Sequence, residues 1–265
     1  MIPTFTVNDL FVMMQTLNAK TLIGFTDPFK YFTKQEIEKE WEITYKKLHK
    51  LELIDLVNGE VKLEEAFSNA LWIMSRTNLT VEILTDWKKK SLFYFGNDNV
   101  LECSKLEDGT YTLYMHGSPG DTWNNVIYPR MLAGVQKQKV QSDENILIST
   151  SDYIDWLKNG IHIESSKLEK LNENRDLGLL TRQLKNTFQH KIHNNRLMIF
   201  YKEDFEWSIE GLHVLTSPTS NWIFKMINEG ESELLEGKQS TSVDVVIAIL
   251  DVLRRVKKEN EPTLN

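Results

Sequence analysis

The stretch Arg196-Leu-Met-Ile-Phe-Tyr201, followed by Trp207 to Leu215 and Trp222-Ile-Phe-Lys-Met-Ile227, decides the fold. Three short runs rich in aromatic and branched residues, separated by brief polar links, predict antiparallel strands. An acidic, Gly-punctuated turn region comes next, and then an apolar-periodic helix from Val243 to Lys257. The first half of the chain has the same grammar. Helical patterns extend to about Ser75, and four alternating runs lie between Leu79 and His116. Two helices-then-strands halves, 1–135 and 136–265, predict an α+β fold whose halves share one sheet as a single domain.

The helical starts carry their own chemistry. Thr6-x-x-Asp9 and Thr33-x-x-Glu36 read as capping boxes, in which a hydroxyl and a carboxylate satisfy orphan backbone N–H groups. Behind the first, Val7, Leu10, Phe11, Met14 and Leu17 form one stripe; behind the second, Ile37, Trp41, Tyr45, Leu48 and Leu51 form another. Asn58-Gly59 is a tight-turn dipeptide. A third helix places Leu63, Ala66, Phe67, Ala70, Leu71 and Met74 at helical spacing.

The period then switches to two. Val81, Ile83, Leu92 to Phe95, Val100 to Cys103 and Tyr111 to Met115 predict strands, with turns at Lys88–Lys90, Gly96–Asn99 and Asp108-Gly109. Links this short favour an antiparallel meander, because parallel crossovers need a dozen residues or more. Lys88 to Lys90 read as solvated turn residues. Gly117-Ser-Pro-Gly120 closes the first half, Asp121 to Gly134 look helical, and Gln136 to Glu144 reads as a linker. Beyond it come a short run at Ile146, helices near Ser151–Lys158 and Glu164–Leu171, and a longer helix from Arg175 with Leu177, Leu180, Leu184 and Phe188 on one side. Thr241-x-x-Asp244 caps the last helix. Its C-terminal end carries Arg254, Arg255, Lys257 and Lys258, where the helix dipole favours cations. That helix is apolar over a wide arc beside a narrow polar stripe of Asp244, Asp251, Arg255 and Lys258, so it is expected to lie deep against the sheet.

Composition narrows the function classes. The chain has 265 residues, enough for a substantial core, and a net charge of −7 with scattered lysines, which argues against a nucleic-acid partner. A single cysteine, Cys103, excludes an internal disulfide framework and a cysteine-based zinc site, and its strand setting reads as a buried thiol. No signal-like segment and no run of about 20 apolar residues occurs, so a cytoplasmic protein without membrane insertion is expected.

Motifs for chemistry are missing. The 12 glycines form no phosphate-cradling pattern, so no nucleotide cofactor is expected. Gly117-Ser118-Pro119-Gly120 is one residue short of a hydrolase nucleophile elbow and reads as a bend between strand and helix. His190-x-x-His193 has no acidic or histidine partner at metal-ligand spacing, so no metal is expected. Glu36, Glu38, Glu40 and Glu42 spread around a helix and form a solvated face. The Thr33–Leu63 segment, a helix followed by an Asn-Gly hairpin, has the outline of a winged helix. Five acidic residues in Thr33–Lys50 oppose that reading, because a recognition helix must face phosphates. A non-enzymatic binding scaffold is the expectation.

Four passages resemble the EspG-type chaperones of type VII (ESX) secretion systems. They are the opening helix Phe5-Thr-Val-Asn-Asp-Leu-Phe-Val-Met-Met-Gln-Thr-Leu17, the Leu51–Leu63 passage around Asn-Gly, Trp156-Leu-Lys-Asn-Gly160 ahead of Asn195-Arg196-Leu-Met-Ile, and the ending of two hairpins and a helix through Leu253. Together they cover most of the chain. The lysine- and asparagine-rich composition departs from the mycobacterial pattern and suits a low-GC Firmicute relative, with secreted partners other than PE–PPE pairs. The resemblance implies a central antiparallel sheet flanked by two helical bundles with pseudo-twofold symmetry. It also implies cytosolic binding of a secreted helical-hairpin substrate of the WXG or LXG type, held soluble before export, with the secretion ATPase as a further partner. The positions matching the family's client contacts are Gly96, Asn97, Asp98 and Asn99, and the helix carrying Leu177, Leu180 and Leu184. A toxin-neutralising immunity protein, a DNA-binding regulator and an enzyme with a motif-free site stand as alternatives.

Overall fold

The computed structural model describes residues 3–19, 22–57, 60–140, 142–159, 171–172, 177–204, 206–229 and 232–260. Ten strands pair in the order β1-β7-β6-β5-β4-β9-β10-β11-β12-β8, in which β4 is Leu79–Thr85, with β2 and β3 forming a separate hairpin. The fold is α+β with a large antiparallel sheet. The chain divides into two compact units, one of residues 1–82, 89–126 and 200–202, the other of residues 83–88, 127–199 and 203–265.

In the first unit, α1 (Val7–Thr16), α2 (Lys34–Lys50) and α3 (Glu65–Arg76) begin at satisfied caps. Thr6 N donates to Asp9 Oδ2 at 2.7 Å while Asp9 N donates back to Thr6 Oγ1 at 3.1 Å, the capping box that the spacing predicts. Thr33 and Glu36 repeat it. Helix α3 is capped instead by the Glu64 carboxylate, which accepts from Ala66 N and Phe67 N. Leu10, Met13, Met14, Phe67, Leu71 and Met74 pack with Leu92, Tyr94, Leu101 and Cys103 of β5 (Lys89–Phe95) and β6 (Val100–Lys105). β7 (Tyr111–His116) continues this meander and pairs with the two-residue β1 (Thr4–Phe5). The hairpin of β2 (Ile54–Val57) and β3 (Glu60–Leu63) brackets Asn58-Gly59, which lie outside the described residues.

Asp9 is the polar centre of this unit. It is buried, accepts from Thr44 Oγ1 at 3.0 Å and forms an ion pair with Lys47. Burial raises its pKa, but the bonds from Lys47 and Thr6 outweigh that and hold the carboxyl below its usual value.

Lys90 departs from expectation. The turn falls at Asp86–Lys88 and β5 begins at Lys89, so Lys90 is a strand residue and not a solvated turn. It pairs with Glu82 at 2.9 Å and donates to Gly24 O at 2.7 Å. The charge run misleads because only its first two residues point at water. Asp86 and Trp87 both hold positive φ, 52° and 58°, in a connection where Asn-Gly is the usual choice. Contacts within the second unit hold them there. Asp86 accepts from Asn194 N at 2.9 Å, and the Arg196 guanidinium lies 5.6 Å from the Trp87 ring centre.

The second unit contains β8 (Asn145–Ser149), α6 (Thr150–Asn159), α7 (Gly178–Gln189), β10 (Glu206–Thr216), β11 (Asn221–Glu229), β12 (Ser232–Ser240) and α8 (Ser242–Asn260), together with most of β9 (His193–Glu203). Residues 119–131 form a helix interrupted by a π turn: α4 (Pro119–Thr122), the wide turn Trp123–Ile127 and α5 (Tyr128–Met131). The helix expected near Glu164–Leu171 falls almost wholly outside the described residues, as does Arg175. The linker is pinned, since Gln136 N donates to Asn221 Oδ1 and Asn221 Nδ2 returns a bond to Gln136 O at 2.7 Å.

The acidic, Gly-punctuated region is the main correction. Most of it is strand β12, paired with β11 on one side and β8 on the other. Gly237 ends no strand. It lies opposite Phe224, whose ring atoms would stand 2.5 Å from any added Cβ, so the aromatic face requires the missing side chain. Trp222, Phe224 and Leu235 pack with Tyr153 and Trp156 of α6 and with Leu180, Leu184 and Phe188 of α7. Residues of opposite parity, Ile223, Lys225, Glu236 and Lys238, look toward α8. That helix is not sunk to its full girth. Val245, Ala248, Ile249 and Val252 are buried, while Val243, Ile247 and Leu250 stay exposed.

Candidate functional site

The Gly96–Asn99 segment in the first unit is the turn between β5 and β6. Gly96 N donates to Asn99 O at 2.9 Å, which leaves Asn97, Asp98 and Asn99 exposed at the tip. Ile73 of α3 lies 3.2 Å from where a Gly96 Cβ would stand, and Thr77 Oγ1 donates to Phe95 O at 2.9 Å, so the end of α3 fixes the base of the turn. On the outer side of α3, Trp72 is 53 % exposed and the Arg76 guanidinium lies 4.6 Å from its ring centre. Tryptophan and arginine are among the residues most enriched at binding hot spots, and the cation over the ring holds the pair together at the surface. Residue spacing missed this pair. Trp72 lies outside the stripe of Phe67, Ala70, Leu71 and Met74, and that exclusion was the available signal.

In the second unit Leu177, the cap residue of α7, and Leu180 and Leu184 within it face inward. Leu177, Leu180 and Leu184 are all buried, in the cluster with Trp222 and Phe224. The opposite side of this helix faces solvent, and Leu179 there is 59 % exposed. Leu179, Arg182, Gln183 and Asn186 line a cleft of about 370 Å³ with Thr219, Ser220 and Gln239. The cleft floor is rigid. Trp222 Nε1 donates to Thr187 Oγ1 at 3.0 Å, Thr187 and Ser220 share a hydroxyl bond, and Ser217 Oγ accepts from Ser220 N at 3.1 Å. An apolar side chain beside Arg182 and polar turn residues suits a protein surface better than a reacting substrate.

Of the groups that the sequence singles out for chemistry, some are bonded within the fold and one is buried. Ser118 of the near-miss elbow caps α4 through Asp121. Burial pushes the Cys103 thiol up to about 12, so it stays protonated at neutral pH. His190 is exposed at the end of α7, whereas His193 sits on β9 with its Nδ1 3.2 Å from Asp86 Oδ2. Among the described residues no group of three or more His, Cys, Asp and Glu could hold a metal ion. Glu36, Glu38 and Glu42 are exposed, and Glu40 accepts from Asn8 at 3.0 Å. Among the same residues no helix is long and apolar enough to cross a membrane.

No family model matches the chain, and no curated protein matches it in sequence. Solved structures do. One is the Mycobacterium tuberculosis type VII secretion system chaperone EspG5 in complex with the PE25-PPE41 dimer, similar with a TM-score of 0.55 at 9 % identity, over 96 % of this chain and 96 % of that one. Identity so low shows the fold alone, and the likeness extends over nearly the full length of both chains. The chain has the EspG-like fold.

Proposed function

We propose that this protein is a non-enzymatic chaperone or adaptor that binds a secreted helical-hairpin substrate of a type VII system. In this reading it holds the substrate soluble in the cytoplasm and passes it to the export ATPase. The observation that supports this reading is the likeness over nearly its full length to a chaperone solved with its secreted substrate dimer. The two exposed surfaces fit the same role. The Asn97–Asn99 tip with Trp72 and Arg76 offers an aromatic anchor with a polar rim, and Leu179 with Arg182 and Asn186 offers a second. A substrate's apolar helical tip needs cover of this kind until it is exported.

Co-expression with WXG- or LXG-type proteins encoded beside this chain, followed by sizing chromatography, tests the reading. A complex of fixed stoichiometry that Trp72→Ala and Leu179→Asp each weaken is the expected result. No complex with any of them, or one indifferent to both substitutions, contradicts it.

A further inference from the structure

The outward face of α8 has no role in that reading. Val243, Ile247 and Leu250, at spacings of four and three, form one line on the solvent side, 61 %, 47 % and 37 % exposed. Arg254 continues the line, and Asp244 and Asp251 flank it. The faces buried on β10, β11 and β12 are filled by Val245, Ala248, Ile249 and Val252; Ile247 also edges the cleft beside Ile223 and Lys225, and still leaves about half of its side chain at the surface with Val243 and Leu250.

We propose that this line is a self-association surface, on which α8 of a second copy of the chain docks antiparallel about a two-fold axis. The charge order along the helix selects both the partner and the direction. Asp244 stands near the start, and Arg254, 73 % exposed and 3.5 Å from Asp251 of its own helix, stands near the end. Parallel docking would set that cationic end against its own copy. Antiparallel docking with Ile247 against Leu250 of the other copy places Arg254 beside Val243 and Asp244 of that copy. Opposite charges then meet twice, once at each end of the pair, and the helix dipoles oppose favourably. Three apolar side chains per copy cover less than the roughly 800 Å² per partner of a stable interface, so the dimer is weak and concentration-dependent.

Sedimentation velocity of the full chain, from about 1 μM to several hundred μM, tests this. The expected result is a monomer at the low end and a growing dimer at the high end, weakened at least about tenfold by Ile247→Lys, with the circular dichroism unchanged. Cross-linking fixes the direction: a mixture of Val243→Cys and Arg254→Cys proteins links through a short bis-maleimide, whereas Val243→Cys alone does not; Cys103 is buried and silent. A monomer at every concentration, a dimer indifferent to Ile247→Lys, or linkage of Val243→Cys to itself would overturn the proposal.

Discussion

The two units hold their helices on the sheet by different physics. In the first, α1 and α2 meet around a buried carboxylate, Asp9, which serves a helix cap, a threonine and a lysine at once. In the second, α6 and α7 meet over an aromatic cluster in which Tyr153 lies 4.7 Å from Phe224 and 5.6 Å from Phe188, ring centre to ring centre. Among the described residues its one buried titratable base, His213, is kept neutral. Burial pushes its pKa down to about 3, and the charge of Arg196 works in the same direction. A charged lock is directional and depends on partners. An aromatic one depends on volume. The same scaffold logic can therefore be met by either, and the two fail under different insults.

The largest effect is expected from emptying the aromatic lock. Phe224→Ala should destabilise the second unit by about 3–5 kcal/mol, read as a fall in denaturant midpoint with the slope preserved. Gly237→Val belongs beside it, because a branched side chain would enter the Phe224 ring.

Acid separates the locks next. His213 in the folded state binds its proton only near pH 3, while the unfolded chain binds it near 6.5. The unfolded state holds more protons between these values, so stability is complete above about 6.5 and falls as pH drops toward 3. Asp9 is depressed from 3.8, so its contribution is present above that value and is lost as pH falls through its folded pKa. Thermal melts from pH 7 to 3 should show loss beginning below 6.5, and His213→Gln should remove that early phase while leaving the late one. A melt that stays flat down to pH 4 would break the comparison.

Asp9→Ala should cost about 2 kcal/mol, less than the roughly 3–5 of a fully buried pair, because Lys47 reaches water when released. The smallest structural effect is expected from Leu179→Asp, within about 0.5 kcal/mol in a melt, since that side chain faces solvent. Its effect on substrate capture should be large.

Much of this was legible in the residues, because caps and periodicity are local. Thr6-x-x-Asp9, Thr33-x-x-Glu36 and Thr241-x-x-Asp244 make the bonds that their spacing predicts. The meander expected between Leu79 and His116 pairs antiparallel, but its strands do not alternate: Thr80–Ile83, Leu92–Tyr94 and Val100–Cys103 are buried on both faces. What failed was non-local. Ser232–Ser240 has turn composition, and it is a strand because β8 and β11 supply bonds on both sides and Phe224 needs a glycine opposite it. Lys90 has the company of a solvated run and the environment of a buried pair. The candidate site was half legible. Turn chemistry located Gly96–Asn99, while the leucine stripe of α7 marks the side that packs inward, and the outward residues Leu179 and Arg182 lack any periodic signal.

The most direct measurement is affinity capture of the tagged full chain from a lysate of its native cells, identified by mass spectrometry and run in parallel with Leu179→Asp. The account predicts recovery of a small secreted protein with a helical-hairpin sequence at fixed stoichiometry, lost in the variant. Recovery of no secreted protein, or equal recovery by both chains, would contradict it.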